Sequence, residues 1–163
     1  MTRIELVVGF VILFALGCAG MWLGWRNRAR RQAELPALPE VPVELGAERA
    51  PELTGVYIGT TIATQWQNRV VAQTLGERAE TTAHLTDAGA LIDRIGSKPI
   101  FIPSEQLIDA RLEPALAGKV VGSGGLLVLR WQHGGTDLDT GLRADDKTVY
   151  PDWVTAIENS EGA

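Results

Sequence analysis

LLVLRWQHGGTDLDTGLR, residues 126–143, is the stretch that decides the fold. An apolar run from Leu126 to Trp131 meets the turn signal His133-Gly134-Gly135, and the chain runs on from Thr136 to Arg143. Two runs of strand length joined by a glycine turn form an antiparallel hairpin. The same grammar repeats upstream. Gly122-Ser123-Gly124-Gly125 separates Leu126 from a shorter strand at Lys119–Val121, and Leu107 to Leu112 is another. Ile100-Phe101-Ile102 is stopped by Pro103, which has no N–H to give a ladder. Gly96-Ser97-Lys98-Pro99 ends a strand from Ala90 to Ile95, and Asp87-Ala88-Gly89 turns into it from the alternating Ala79, Thr81, Ala83 and Leu85. Thr54 to Thr64 alternates Val56, Ile58 and Ile62 with polar or small neighbours. This pattern predicts a mainly β domain of about seven short antiparallel strands. Downstream the period changes. Tyr150, Trp153, Val154 and Ile157 fall at i, i+3, i+4 and i+7, one helix face, with Pro151 in the first turn. A C-terminal helix this short is held by burying that face, and the open end of a curved sheet is its natural target. Residues 65–76, with Trp66, Val70 and Leu75, read as a brief helix or an ordered loop.

Residues 32–53, QAELPALPEVPVELGAERAPEL, hold Pro36, Pro39, Pro42 and Pro51 with Glu34, Glu40, Glu44, Glu48 and Glu52. Such a composition predicts an extended, semi-rigid tether, with a reach on the order of 60 Å at about 3.1 Å per residue. Its charge would be repelled by an anionic inner leaflet, which suits a spacer, although a plain linker fits equally well.

From Leu6 to Trp25 the chain reads LVVGFVILFALGCAGMWLGW without a charge. At 1.5 Å per residue a helix of that length covers roughly 30 Å, the hydrocarbon thickness of a bilayer. Trp22 and Trp25 suit the headgroup region, and Arg26, Arg28, Arg30 and Arg31 follow as a basic membrane flank. The positive-inside bias predicts a single-pass plasma-membrane helix with its N-terminus outside and the domain in the cytoplasm. A cleaved signal peptide would place its basic cluster before the apolar core, not after it. Gly20 and Gly24 form a GxxxG pair, a spacing at which two helices approach closely, so a homodimer stays open here. The expected organisation is therefore an anchor with its flank at 1–31, the tether at 32–53 and a cytoplasmic domain at 54–163.

Charge is distributed as unevenly as hydropathy. Residues 32–163 carry 10 positive and 19 negative side chains, net −9. A body that acidic lacks the basic footprint that nucleic-acid phosphates require. The lone cysteine, Cys18, excludes an intramolecular disulfide and a Cys-based zinc site.

A search for chemistry finds no catalytic, cofactor or metal constellation. His84 lies on a predicted strand and His133 at a turn, both expected to be exposed imidazoles; neither stands in a triad, and G-x-S-x-G does not occur. Gly118-Lys119 leads into a strand and not into the helix that a phosphate loop requires. Asp137, Asp139, Asp145, Asp146 and Asp152 depart from a calcium-loop frame and are expected to form a solvated acidic edge. Trp66, Arg69 and Arg78 are the candidate partner-binding residues, since aromatic and arginine side chains are enriched at hot spots; core packing is the competing account of Trp66.

Several fragments carry a resemblance: Gly55-Val56-Tyr57-Ile58-Gly59-Thr60-Thr61, Arg69-Val70-Val71-Ala72, Leu75-Gly76-Glu77-Arg78-Ala79, Ile102-Pro103, Ala117-Gly118-Lys119-Val120-Val121 and Thr140-Gly141-Leu142-Arg143. In this order and spacing the chain resembles the PH-like (pleckstrin-homology-like) domain proteins of actinobacteria. These are single-pass membrane proteins often loosely labelled transporter or export protein. The resemblance implies a barrel of two packed antiparallel sheets closed by a C-terminal helix. Members of that family are often encoded beside pyrimidine-biosynthesis enzymes, so the resemblance also suggests a protein partner. Arg69 and Arg78 are the only cations between Gly55 and His84, so the sequence does not favour a phosphoinositide headgroup. Two classes of function follow: a non-enzymatic membrane-tethered module that scaffolds or regulates a cytoplasmic protein, and a hydrolase or transferase at the inner membrane face. An auxiliary subunit of a larger membrane assembly also stays open.

Overall fold

The computed structural model describes residues 2–33, 35–120, 122 and 124–160, without the side chains of residues 28–33 and 119. Two compact units divide the chain, Met1–Leu35 and Pro36–Ala163. The first contains α1 (Arg3–Ala33). Its segment Arg3–Asn27 is long and apolar enough to cross a membrane. A helix apolar all round has no polar face to offer water. The Arg26 guanidinium lies 5.1 Å from the Trp22 ring centroid, a cation–π contact at the end of the apolar run. The side chains of Arg28, Arg30 and Arg31 lie outside those described.

The second unit is mainly β. Its elements are β1 (Leu53–Ile62), β2 (Ala79–Thr86), β3 (Gly89–Arg94), β4 (Ile100–Pro103), β5 (Leu107–Glu113), β6 (Ala115–Leu116), β7 (Lys119–Val120), β8 (Leu126–His133), β9 (Thr136–Ala144) and the helix α2 (Tyr150–Glu158). Among the described residues seven strands form one antiparallel sheet in the order β4-β3-β2-β1-β9-β8-β5, and β6 and β7 pair separately. β1 serves both halves of the sheet: Leu53–Tyr57 pairs with β2, Gly55–Ile62 pairs with β9, and the register shifts between Tyr57 and Gly59. A bulge bends and twists its strand, which lets the two halves fold over one core. Gly55 is needed at this corner, because a Cβ there would lie 2.0 Å from the Arg143 carbonyl oxygen.

Leu53, Tyr57, Ile92, Ile100, Leu129, Trp131 and Leu142 are buried in the core. α2 packs against β5 and buries Tyr150, Trp153 and Ile157, the face that its spacing predicted. A directed chain of hydrogen bonds crosses the interior. Trp131 Nε1 donates to Thr140 Oγ1 at 3.0 Å, and Thr140, Thr60 and Tyr57 hydroxyls follow at 2.8 and 2.7 Å. It ends where Tyr57 Oη donates to the Leu75 carbonyl at 2.7 Å. Every donor in the chain finds an acceptor, which is what makes buried hydroxyls affordable. Burial, only partly offset by the Thr60 hydrogen bond and nearby arginines, pushes the Tyr57 phenol up to about 12.

One open alternative closes and three expectations change. Residues 65–76 are an ordered loop: Ala72–Thr74 makes one 3-10 turn with Gln73 at φ 55, which no continuing helix tolerates. Backbone bonds Val70 N to Thr60 O (2.8 Å) and Thr60 N to Leu75 O (3.1 Å) lace this loop along β1. Lys119–Val120 pairs with β6 and not with the main sheet, while Val121 and Ser123 lie outside the described residues. Val56 and Ile58 leave the main core and pack with Leu116, Ala117, Leu126 and Val128 in a second, smaller cluster, because Leu53 and Tyr57 hold the inward positions of β1. The segment read as a free tether is docked over much of its length. Arg49 N bonds to Leu85 O (2.8 Å), Asp87 N to Ala47 O and Ala88 N to Leu45 O (both 3.0 Å), and Trp153 Nε1 to Pro51 O (2.8 Å). Prolines cannot build a helix, but the N–H and C=O groups between them still pair with a neighbouring turn.

Candidate functional site

Register across four strands assembles the site. Asp109 on β5 stands opposite Arg130 on β8, Arg130 opposite Asp139 on β9, and Asp139 opposite Thr61 on β1. Directly opposed residues share a face, so these four form one row on the side of the sheet away from Trp131 and Leu129. Arg111, two residues after Asp109, joins them. Arg130 grips Asp139 through Nε and Nη2 at 2.9 and 3.0 Å, and Arg111 Nη2 reaches the same carboxylate at 2.8 Å. Arg111 also holds Glu113 at 2.8 Å and Asp109 at 3.2 Å.

The Asp139 side chain is only 4% exposed, whereas its arginine partners are about a quarter to a third exposed at 24% and 30%. Burial by itself raises a carboxyl, but hydrogen bonds from Arg130 and Arg111 outweigh it and hold Asp139 below the usual carboxylate range. Arg111 is pulled down by burial, yet its bonds to Asp139 and Glu113 leave it raised. Arg130 is raised chiefly by its hydrogen bond to Asp139. The expectation of a solvated acidic edge therefore fails for Asp139. β9 lies inside the sheet between β1 and β8, and its carboxylate is buried between two guanidiniums.

Over this face lies the β6–β7 hairpin. Leu116 sits so close to Gly141 that a Cβ there would be 2.6 Å from Leu116 Cδ2. Between hairpin and ion cluster opens a cavity of about 290 Å³, lined by Thr64 and Trp66 from the β1–β2 loop, Pro114, Ala115 and Leu116 from the hairpin, and Arg111, Glu113 and Asp139 from the sheet. Trp66 is 42% exposed, so its indole is not packed into the core. A second, apolar depression of about 470 Å³ adjoins it and shares Glu113 and Pro114; Leu112 and Val120 form its walls.

Of the three candidates singled out in the sequence, only Trp66 lines the cavity. Arg69 donates to the carbonyls of Gly76 (2.9 Å), Ala117 (3.1 Å) and Ile58 (3.4 Å), so it ties the loop that carries Trp66 to the hairpin and to β1. Arg78 is exposed just before β2. His84 stands between two carboxylates, Glu48 at 3.1 Å and Glu52 at 3.7 Å. His133 is 5% exposed and donates Nε2–H to the Pro36 carbonyl at 2.9 Å, so the expected exposed imidazole is instead a clasp for the proline-rich segment. Among the described residues no group of three or more His, Cys, Asp and Glu side chains is placed to hold a metal ion.

Sequence reasoning missed Arg111, Arg130 and Asp139. One signal was available: counting away from the Gly134-Gly135 turn places Arg130 opposite Asp139. Nothing comparable links Arg111 to them, because β5 reaches β8 through the β6–β7 hairpin.

Residues 35–158 match the family described as Bacterial PH domain-like. No curated protein matches the chain.

Proposed function

Because the chain belongs to the bacterial PH domain-like family, we propose that it is a membrane-anchored interaction module whose Trp66–Asp139 cavity docks a cytoplasmic protein. PH-like domains are generally non-enzymatic. The observation that carries the reading is the exposed Trp66 indole at the mouth of a preformed, charge-lined cavity. Exposed aromatic side chains beside arginine and a defined concavity are the usual anchors of protein recognition. Apolar length and positive charge after the span support anchoring by Arg3–Asn27 with the arginine flank and the domain on the cytoplasmic side of the plasma membrane. Headgroup binding is disfavoured, since Arg69 is engaged with three backbone carbonyls. A pyrimidine-biosynthesis enzyme is the first partner to test.

Three measurements test this. Full-length protein should resist alkaline carbonate extraction, and its domain should survive protease added to whole cells; extraction, or digestion from outside, would remove the placement. Capture from native membrane should recover a stoichiometric partner with wild type, retain it with Val71→Ala, an exposed site away from the cavity, and lose it with Trp66→Ala. Equal capture by both variants would remove the cavity from the interaction.

A further inference from the structure

We infer that the paired cavities recognise a protein segment carrying a basic side chain beside a bulky apolar one, an inference that rests on the docking reading above and supplies its chemistry. The polar cavity is built to refuse anions. Arg111 directs Nε at Glu113, Nη1 at Asp109 and Nη2 at Asp139, while Arg130 directs Nε and Nη2 at Asp139. An incoming carboxylate or phosphate would have to displace a carboxylate already bound, including the nearly buried Asp139, and would gain little over the pair it breaks.

Each nitrogen of Arg111 already faces a carboxylate, and acceptor positions remain on those carboxylates. The Glu113 and Asp109 side chains are 38% and 40% exposed, and each meets Arg111 through one oxygen. A carboxylate offers about four acceptor positions, so Glu113, which lines both cavities, can take a further N–H from a cationic guest, while Asp109 adds negative charge on the other side of Arg111. With two guanidiniums against three carboxylates the five-residue cluster is net −1, in a body from Gln32 to Ala163 that is net −9. The partly exposed Trp66 indole lines the same cavity, and indole is the ring on which a guanidinium or ammonium stacks best.

The neighbouring depression supplies the apolar half. Leu112 is 52% and Val120 77% exposed there, and Glu113 and Pro114 wall both cavities. Adjacent cavities that share two consecutive wall residues suit two side chains of one extended segment, on one face at i and i+2. Charge steers the encounter and apolar contact holds it. A basic–x–apolar segment satisfies both halves; an acidic one satisfies neither.

The test uses full-length protein in phosphatidylcholine nanodiscs, whose zwitterionic surface does not itself attract basic peptides. The probes are acetyl-GSRGLSG-amide, the same peptide with Glu for Arg, and the same with Gly for Leu, titrated by ligand-observed NMR. The Arg-x-Leu peptide should bind, with either replacement at least about tenfold weaker, and Glu113→Gln and Trp66→Ala should each weaken it by roughly three- to tenfold. Binding should fall as salt rises. Thermal melting of each variant alongside wild type separates lost recognition from lost folding. Equal or tighter binding of the Glu peptide, no binding of the Arg peptide up to about 5 mM, or wild-type affinity in folded Glu113→Gln would overturn the inference. Peptide binding that declines as protein concentration rises would make a second copy of the chain the occupant, and would overturn it too. The two readings fail separately: partner capture lost in Trp66→Ala but indifferent to Glu113→Gln keeps the docking surface and discards its cation chemistry. Specific peptide binding with capture intact in Trp66→Ala does the reverse.

Discussion

On one face the β8–β9 ribbon carries Leu127, Leu129, Trp131, Leu138 and Leu142, all inaccessible to water, and on the other it carries Arg130 and Asp139 under a two-strand lid. The ladder is the same on both sides; what differs is how much apolar surface each removes from solvent. Stability scales with that area, at about 25 cal/mol per Å², and the inner face therefore holds the domain together. The outer face buries only a small cluster around Leu116 and Val128 and leaves charged groups and an indole within reach of a partner. Function can be placed on such a face because little of the fold depends on it.

Substitutions should rank accordingly. Trp131→Ala on the inner face should cost about 3–5 kcal/mol, by leaving a cavity and by removing the first donor of the Trp131–Thr140–Thr60–Tyr57 chain. A denaturant titration of the full-length protein measures it, and a loss below about 1 kcal/mol would erase the contrast between faces.

Asp139→Asn comes next, since it takes from Arg130 the carboxylate it grips and from Arg111 one of its three. Both arginines are partly exposed, so the full cost of a broken buried pair is discounted to about 1–3 kcal/mol. Because folding depresses the Asp139 carboxyl, its contribution is present above the unfolded value near about 4 and disappears as pH falls through the lower folded value. Acid melts of wild type should lose this increment, and those of Asp139→Asn should not.

Tyr57→Phe removes two buried hydrogen bonds and should cost about 1 kcal/mol. Folding raises this phenol, so the stability linked to it is complete below the unfolded value of about 10. It is lost as pH climbs through the folded value of about 12. Wild type and variant should converge in melts taken across that alkaline window.

The smallest change in stability, within about 0.5 kcal/mol, is expected for Trp66→Ala, whose side chain lies at the surface. Partner capture should nonetheless vanish. A variant that destabilises as much as Asp139→Asn would show that Trp66 supports the fold.

Legibility in the sequence followed distance along the chain. The β8–β9 hairpin could be read because its turn and both arms lie within eighteen residues, and α2 because Tyr150, Trp153 and Ile157 repeat within eight. Trp66 was singled out by type and setting, and the structure leaves it partly exposed on the wall of the cavity. Arg69 was singled out in the same way, but three carbonyl partners as far away as Ala117 make it a fastener for the loop. The proline-rich segment was misjudged from composition: nothing between Leu45 and Pro51 announces pairing with Leu85, Asp87 and Trp153.

The amino-acid order alone determined a charge-free run of membrane length, an acidic body, short strands between glycine turns and a closing amphipathic helix. Each is a local pattern, set by neighbours within a turn or a strand. Tertiary structure decided where β1 bends, that residues 115–120 cover the outer face, and that Arg111, Arg130 and Asp139 meet beside Trp66. Those outcomes depend on register between strands brought together by burial of the whole core. A shift of one residue would send each side chain to the opposite face.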